Sequence, residues 1–206
     1  MKPIGVLGLQ GDFDAHRKAL EEVGARAVIV RRPAELEPLA GVILPGGEST
    51  TLLKLSQDVG MDTALRAFHA SGRWIFGTCA GAILIAARVT GPRQPSLALI
   101  DIEIERNAYG RQRDSFETAE ARFERTDDPL MESMGGSPLE LVLIRAPRIR
   151  WCGPGVEVLA RRAGEPVLVR QGAVVAGTFH PEIGRDRRIH GLFASLAFSM
   201  GPLPVS

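Results

Sequence analysis

The sequence contains few cysteines, few lysines and almost no net charge. Its 206 residues include two cysteines, Cys79 and Cys152, which are too few for a disulfide framework or a four-cysteine zinc site. The chain has 25 basic residues, only three of them lysine, and 24 acidic residues. It therefore has no basic excess that could neutralise nucleic-acid phosphates. No apolar run approaches the roughly 20 residues that a membrane-spanning helix needs. These absences argue against a disulfide scaffold, a nucleic-acid partner and a membrane partner.

The length and the first residues predict one domain in the cytoplasm. A chain of 206 residues buries enough surface to fold without disulfides, so we assign residues 1–206 to a single domain. The first apolar run, at 4–9, is short and interrupted by glycine, which is typical of a buried strand and not of a signal peptide. We therefore expect a cytoplasmic protein whose two thiols are reduced.

Apolar runs of strand length alternate with helical patterns in the first half of the chain. Such an alternation is typical of a parallel sheet that helices cover on both faces. In the second half, short strand patterns follow one another before a closing helix, which predicts antiparallel additions. The sequence thus predicts an α/β fold with a doubly wound, mostly parallel sheet. The predicted strands are 4–9, 27–30, 42–44, 74–76, 99–105, 118–123, 139–144, 156–160, 167–169 and 173–176, and the predicted helices are 12–23, 49–55, 62–70 and 186–200.

The strongest chemical signal lies at 74–84, where an apolar strand runs through Gly-Thr-Cys-Ala-Gly into an apolar helix. This is the layout of a nucleophile elbow with cysteine in place of serine. The flanking glycines are needed because the nucleophile occupies a strained turn, and the helix start stabilises a thiolate. The N–H of Ala80 can then face a developing oxyanion. The alternative is that Cys79 is an inert buried residue, whereas Cys152 falls in a predicted turn at 151–154 without such a setting.

A thiol nucleophile needs a base, and one of the four histidines has a suitable setting. His180 follows an apolar strand, where open α/β sheets carry their functional groups. Strand alternation predicts that His180 and Glu182 point to the same side, so that the carboxylate orients the imidazole toward the thiol. The alternative for this pair is a surface contact at a strand end. The other histidines, His16, His69 and His190, lie in predicted helices, where we expect no direct chemistry.

Two further segments supply candidate ligand-binding groups. A strand at 42–44 leads through a glycine turn to a helix, and Gly47 can contribute a second oxyanion N–H. Ser49 is a candidate N-cap of that helix. The Gly-Lys-Ser/Thr of a phosphate-binding loop is missing from this segment. Arg106 and Arg145 are the arginines that can bind a substrate carboxylate by charge-assisted hydrogen bonds, with a solvated loop as the alternative for the first.

Taken together, these motifs resemble the class I, triad-type glutamine amidotransferases and, within them, the glutaminase subunits of pyridoxal 5′-phosphate synthases. The cysteine elbow and the Phe-His-Pro-Glu segment fit many class I glutaminases, whereas Gly-Gly-Glu-Ser-Thr-Thr, Arg-Asn and Ile-Arg-Ala-Pro favour this subfamily. The resemblance implies a flavodoxin-like fold of the class I glutamine amidotransferase type. The matching segments occur in order at 5–11, 45–51, 76–81, 105–107, 110–112, 114–116, 144–147 and 179–182.

The resemblance also implies an activity. It implies hydrolysis of L-glutamine to glutamate and ammonia through a thioester, with Cys79 as nucleophile, His180 as acid and base, and Glu182 orienting the histidine. Gln10 matches a residue that the family links to activation by its partner, a barrel-shaped synthase subunit that uses the ammonia to make pyridoxal phosphate. Pyridoxal phosphate is then the product of the assembly, and no cofactor or metal is implied for this chain. The positions that match the family's glutamine-binding residues are Gly47, Glu48, Ser49, Arg106, Ile144 and Arg145.

Three alternatives stay open on the sequence alone. The chain can be a cysteine hydrolase of the same fold acting on another acyl substrate, or a subunit whose site is a catalytic relic. It can also be a glutaminase that serves another biosynthetic pathway. Ammonia release from glutamine, measured with and without the synthase subunit, separates these alternatives.

Overall fold

The structure is a computed structural model that describes residues 2–106, 108, 116–124, 134 and 136–199. Several residues of the matching segments between 107 and 115 lie outside the described residues, as does most of 127–138, where Asp-Asp-Pro, Gly-Gly and Ser-Pro predict a loop. Within the described part there are five α-helices and twelve strands. The helices are α1 (Phe13–Glu22), α2 (Ser49–Asp58), α3 (Met61–Ala70), α4 (Ala80–Ile85) and α5 (Arg188–Phe198), and Pro33–Leu36 form a turn of 3₁₀ helix.

The strands form two sheets in the described part of the chain. The larger has nine strands in the order β2-β1-β3-β4-β12-β11-β10-β7-β8, and the smaller has the order β5-β6-β9. The strands are β1 (Ile4–Leu7), β2 (Ala27–Val30), β3 (Gly41–Leu44), β4 (Trp74–Thr78), β5 (Ala86–Thr90), β6 (Ile100–Glu105), β7 (Phe116–Phe123), β8 (Leu139–Ile144), β9 (Arg148–Cys152), β10 (Glu157–Arg162), β11 (Glu165–Gln171) and β12 (Val174–Gly177).

The larger sheet consists of a parallel half and an antiparallel half, which confirms the predicted class. Strands β2, β1, β3, β4 and β12 are parallel neighbours. Strands β11, β10, β7 and β8 continue the sheet with antiparallel pairs. In the parallel half, Leu44 of β3 pairs with Gly77 of β4, and Gly177 of β12 pairs with Thr78. The carboxyl ends of three neighbouring strands therefore meet at one edge, which is where such sheets carry their ligand sites.

Helices cover both faces of the parallel half. On one face, apolar side chains of α2 and α3, such as Leu52 and Phe68, pack in a core with those of α4. On the other face, Leu20 of α1 and Phe193 of α5 share a second core with β4, and the ring of Phe193 lies 5.6 Å from that of Phe76. Because α1 and α5 lie on the same face, polar side chains on their buried sides meet behind β4. None of the helices in the described residues is long and apolar enough to cross a membrane.

One strand was not predicted, and one predicted turn was wrong. The apolar helix that follows the elbow is confirmed as α4, but it ends at Ile85, and β5, which was not predicted, begins at the next residue. Trp151 and Cys152, predicted in a turn, instead end β9. Both β5 and β9 pair with β6, so each becomes a strand through a partner distant in sequence. Tertiary pairing of this kind overrides local propensity and leaves no periodic signal.

A pair of glycine substitutions tests how tightly α4 packs against the sheet. A Cβ at Gly81 would overlap the carbonyl oxygen of Leu44, whereas one at Gly191, inside α5, would meet nothing within 4 Å. We expect Gly81→Ala to lower the free energy of unfolding by about 3 kcal/mol, because backbone atoms cannot yield to the added methyl. Gly191→Ala, the matched control, should raise it by about 0.5–1 kcal/mol. Urea unfolding followed by circular dichroism measures both, and equal effects would contradict the close packing.

Candidate active site

Cys79 occupies a strained turn between β4 and α4. Its backbone has φ 47° and ψ −104°, a conformation that side-chain-bearing residues rarely adopt. The Cys79 N–H donates to the carbonyl of Gly177, and its carbonyl accepts from the N–H of Ile83. A Cβ at Gly77 would lie 2.6 Å from the backbone of Gly81, so glycine is required on both sides of the cysteine, as the elbow pattern predicts. Strain of this kind is typical of functional sites.

His180 lies beside Cys79, as predicted, but the prediction that a strand orients its side chain was wrong. Strand β12 ends at Gly177, three residues earlier, so strand alternation does not orient His180 and Glu182. A turn does so instead, since the N–H of Ile183 donates to the carbonyl of His180. The N–H of His180 also donates to Val142 of β8 at 2.8 Å. In this turn Nδ1 of His180 lies 2.7 Å from Oε1 of Glu182, and the ring hydrogen-bonds Cys79.

The charges of this buried triad reinforce one another. Burial alone would lower the pKa of His180, but hydrogen bonds to Cys79 and Glu182 and the charges of both raise the pKa to about 10. Burial would raise the pKa of Glu182, yet His16 and His180 more than offset it, so the pKa lies below its ordinary value. The carboxyl group is therefore ionised and the imidazole protonated at neutral pH. The arrangement pairs an imidazolium with the thiol group.

A cavity of about 130 Å³ opens in front of the thiol. Ile83, which was not predicted, also lines the cavity. Among the described residues no group of three or more His, Cys, Asp and Glu side chains can hold a metal ion. The predicted residues that line the cavity are Gly47, Glu48, Ser49, Cys79, Arg106, Ile144, Arg145 and His180.

The remaining predicted residues lie directly behind the cavity wall. Ala80 follows Cys79 as the first residue of α4. Gln10 packs against Gly47, which has φ +144°, and its Oε1 accepts the N–H of Glu48 at 2.9 Å. A Cβ at Gly46 would overlap the ring of His180. The glycine turn after β3 therefore brings bare backbone against the thiol and imidazole pair, and Gln10 supports it from the opposite side.

Glu48, and not Ser49, is the N-cap of α2. The Glu48 carboxylate accepts the N–H groups of Thr50 and Thr51, and Ser49 is the first helical residue, whose hydroxyl donates to Gln94. Burial would raise the pKa of Glu48, but the hydrogen bonds from both threonines lower the pKa to about 2. The carboxylate also lies 3.4 Å from Arg106. Glu48 is thus an anion that the helix start holds at the cavity rim.

The cavity wall carries charges of both signs. The negative charge is that of Glu48, and the positive charges are those of Arg106 and Arg145. The Arg106 side chain is 11% exposed, so its interaction with a ligand is only partly screened by water. Arg145, just beyond β8, has φ +45°. This distribution is complementary to a free amino acid, which bears one ammonium and one carboxylate.

Two substitutions separate the ligand-binding charge of Glu48 from its capping role. Glu48→Gln keeps a capping oxygen and removes the charge, and we expect the KM for an amino-acid substrate to rise about tenfold with little change in kcat, because a hydrogen bond to a charged group contributes about 1.5–3 kcal/mol. Glu48→Ala should raise KM similarly and also destabilise α2 by about 1 kcal/mol. Steady-state kinetics and thermal unfolding measure the two effects. An unchanged KM in the glutamine variant would contradict a binding role.

Besides Ile83, sequence reasoning also missed His16. It is fully buried on α1, and its Nε2 lies 3.2 Å from Oε2 of Glu182. The only sequence signal is a histidine four residues before the buried Leu20, hence on the apolar face of an amphipathic helix. Helix periodicity cannot tell such a residue from an ordinary core histidine, because its partner comes from a segment 166 positions later.

Comparisons with known proteins agree with this geometry. The model of the SNO glutamine amidotransferase family matches residues 6–198. The pyridoxal 5′-phosphate synthase subunit PdxT of Koribacter versatilis is 52% identical over 94% of both chains, and that of Solibacter usitatus is 50% identical over 95% of this chain and 99% of its own. A crystal structure of a glutamine amidotransferase superposes with a TM-score of 0.84 at 44% identity, covering 95% of this chain and 98% of that one. This chain belongs to the SNO glutamine amidotransferase family.

Proposed function

We propose that this chain is the glutaminase subunit of a pyridoxal 5′-phosphate synthase. It hydrolyses L-glutamine to L-glutamate and ammonia and delivers the ammonia to the synthase subunit for vitamin B6 synthesis. The observation that carries the proposal is a cysteine, histidine and glutamate triad facing a small cavity with charges of both signs. Relatives that share about half of its sequence bear the name of that subunit. We further propose that residues 1–206 act as one glutaminase domain.

In the first half of the reaction, Cys79 is the nucleophile. Its thiolate attacks the carboxamide carbon of glutamine and forms a tetrahedral intermediate with a negatively charged oxygen. The N–H groups of Ala80 and Gly47 stabilise that oxyanion, a term worth roughly 3–4 kcal/mol for each donor. His180, as imidazolium, then donates a proton to the leaving nitrogen. Ammonia departs and a glutamyl thioester on Cys79 is left.

In the second half, the same imidazole acts as a base. Having lost its proton to ammonia, His180 accepts one from a water molecule that attacks the thioester carbonyl. The second tetrahedral intermediate collapses, glutamate leaves, and the thiolate is restored beside the reprotonated imidazole. Glu182 holds the ring by its Nδ1 proton during both halves, so that the other ring nitrogen always faces the reacting atoms.

The charged residues of the cavity orient the substrate. Arg106 and Arg145 bind the α-carboxylate, and Glu48 binds the α-ammonium group, which leaves the side-chain amide directed at the thiol. Ser49 and Ile144 complete the wall beside the substrate backbone and stem. Holding both ends of the zwitterion makes the attack effectively unimolecular. It also discriminates against peptides, which lack one or both of these charges.

The proposed partner is the barrel-shaped synthase subunit. Gln10 accepts the N–H of Glu48 and packs against Gly47, so a partner that contacts the segment after β1 can act on the proposed oxyanion donor. We expect the isolated chain to hydrolyse glutamine slowly and the synthase subunit to accelerate it.

Ammonia release from glutamine, measured with and without purified synthase subunit, tests the proposal. Acceleration by the subunit is the expected result. A chain that neither binds that subunit nor responds to it would assign the glutaminase to another pathway.

A further inference from the structure

A continuous set of buried side chains extends from the triad into the protein. His16 Nε2 lies 3.2 Å from Glu182 Oε2, and His16 Nδ1 lies 3.0 Å from His190 Nε2. His16 and His190 are fully buried, and Glu182 is 4% exposed. The two histidines come from α1 and α5, which pack side by side behind β4. The reaction as derived above uses neither of them.

The charge of Glu182 determines where the protons of this set lie. Oε2 of Glu182 is buried, and none of the described groups meets hydrogen-bond geometry with it, but His16 Nε2 lies 3.2 Å away in an ion-pair contact. Because a carboxylate only accepts hydrogen bonds, this contact favours the proton of the His16 ring on Nε2. The opposite tautomer would place a nitrogen lone pair 3.2 Å from a carboxylate oxygen. The Thr78 hydroxyl lies 3.2 Å from the same nitrogen, and with the proton on Nε2 its oxygen accepts the hydrogen bond of that N–H.

The same reasoning extends to His190. Burial lowers the pKa of His16, so its ring is neutral and its Nδ1 is an acceptor. His190 Nε2 must then donate to it, which leaves His190 Nδ1 as an acceptor. That nitrogen is buried without a hydrogen-bond partner among the described residues, and a bare acceptor is tolerated there more readily than an N–H. Burial lowers the pKa of His190 to about 3, so it too is neutral.

We propose that His16 is a positioning residue of the triad. Its Nε2–H, 3.2 Å from Oε2 of Glu182, attracts that buried oxygen, so that Oε1 stays directed at Nδ1 of His180, and His190 fixes the tautomer that this requires. The proposal rests on the proposed glutaminase reaction, because positioning has a meaning only if His180 moves protons. His16 itself touches no reacting atom.

The local structure explains why Glu182 needs a second contact. Glu182 lies in the turn beyond β12 and not in a helix or strand, so only local contacts hold its carboxylate, namely hydrogen bonds to its own backbone and to His180. Both contacts belong to the same turn. The contact to His16, which is carried by a ten-residue helix, ties the carboxylate to the body of the fold. A partner one layer behind a reacting group typically changes activity by about 10–100-fold when it is removed.

Nitrogen NMR of ¹⁵N-histidine-labelled protein tests the proton positions without any assay of activity. At pH 7 we expect the Nε2–H tautomer for His16 and His190 and a doubly protonated ring for His180. The signals are assigned by their loss in His16→Gln and His190→Gln. An Nδ1–H tautomer or a charged ring at His16 would overturn the proposal.

Kinetics of two variants in the complex with the synthase subunit test the positioning itself. Glutamine places an amide near the position of Nε2, whereas asparagine places it near that of Nδ1. We expect His16→Asn to lower kcat by about 10–100-fold with KM within about twofold of the native value, and His16→Gln to retain most of kcat. His69→Gln, on α3 and outside the cavity wall, is the control and should behave as the native chain does.

The outcomes distinguish a failure of the positioning role of His16 from a failure of the proposed glutaminase function. Equal kcat values for His16→Asn and His16→Gln, whether both native or both low, would overturn the positioning role. If the native complex released no ammonia, the proposed function would fail, while the NMR result would still report on the tautomers. Folding of each variant is checked by circular dichroism, and His16→Gln with the NMR measurement decides if the asparagine variant does not fold.

Discussion

Replacement of Cys79 by alanine should reduce kcat for glutamine hydrolysis by roughly 10⁶-fold, to the background of the assay. The thiol lies in the strained turn, in contact with His180 and at the cavity wall, and no other described side chain there is a comparable nucleophile. Loss of the sulfur removes the covalent intermediate and leaves water as the only attacking group. The fold should be unaffected, because alanine fits the same backbone and Cys79 makes no disulfide.

Cys152 provides the matched control for this experiment. It ends β9, is partly buried, and has a pKa that burial raises, so its thiol is less reactive at neutral pH. Cys152→Ala should keep native kcat and KM. Ammonia release in the complex with the synthase subunit measures both variants. Retained activity in Cys79→Ala would refute the assignment of the nucleophile.

Replacement of Glu182 by glutamine should lower kcat by roughly 10³–10⁴-fold, the size of effect seen when a triad carboxylate is made neutral. The carboxylate lies 2.7 Å from His180 Nδ1 and is among the causes that raise the pKa of that ring. A glutamine amide cannot stabilise the imidazolium in the same way. It also presents an N–H₂ group either to His180, which donates to Glu182, or to His16, whose Nε2 lies 3.2 Å from Glu182.

The same substitution should change the pH profile. The pKa of His180 is raised from its ordinary value of 6.5 to about 10. The imidazolium, which is the acid for ammonia departure, therefore persists in the pH range between these two values. In the native complex kcat/KM should therefore decline only well above pH 8. In Glu182→Gln the pKa of His180 falls, and the alkaline decline should begin at lower pH. A profile unchanged in position would show that Glu182 does not control the charge of His180. Glu120→Gln, a substitution of the same type at an exposed position of β7, is the control.

The parallel half of the sheet and the elbow were predictable because their signals are local. The strands β1, β3 and β4 are apolar on both faces, and glycines two residues to each side of Cys79 have a direct steric cause in the backbone of Leu44 and Gly81. The candidate site residues in the turns after β3, β4 and β12 also lie together, because these three strands are neighbours in one sheet and their turns meet at one edge.

What the sequence did not reveal depends on contacts between distant segments. Strands β5 and β9 exist because β6 lies between them, and no periodicity records that pairing. Glu48 was overlooked as an N-cap because serine is the commoner capping residue. His16 resembled any core histidine until α1 and the turn at Glu182 were brought together. In each case the local pattern permits two structures, and tertiary packing selects one.

The central claim is that glutamine is hydrolysed through a covalent intermediate on Cys79. Its most direct test is mass spectrometry of the complex with the synthase subunit, acid-quenched during turnover of glutamine and digested with protease. We expect a glutamyl adduct on the peptide that contains Cys79, its absence from the peptide that contains Cys152, and its loss in Cys79→Ala. Ammonia release with no adduct on Cys79 at any quench time, or an adduct that survives in Cys79→Ala, would contradict the account.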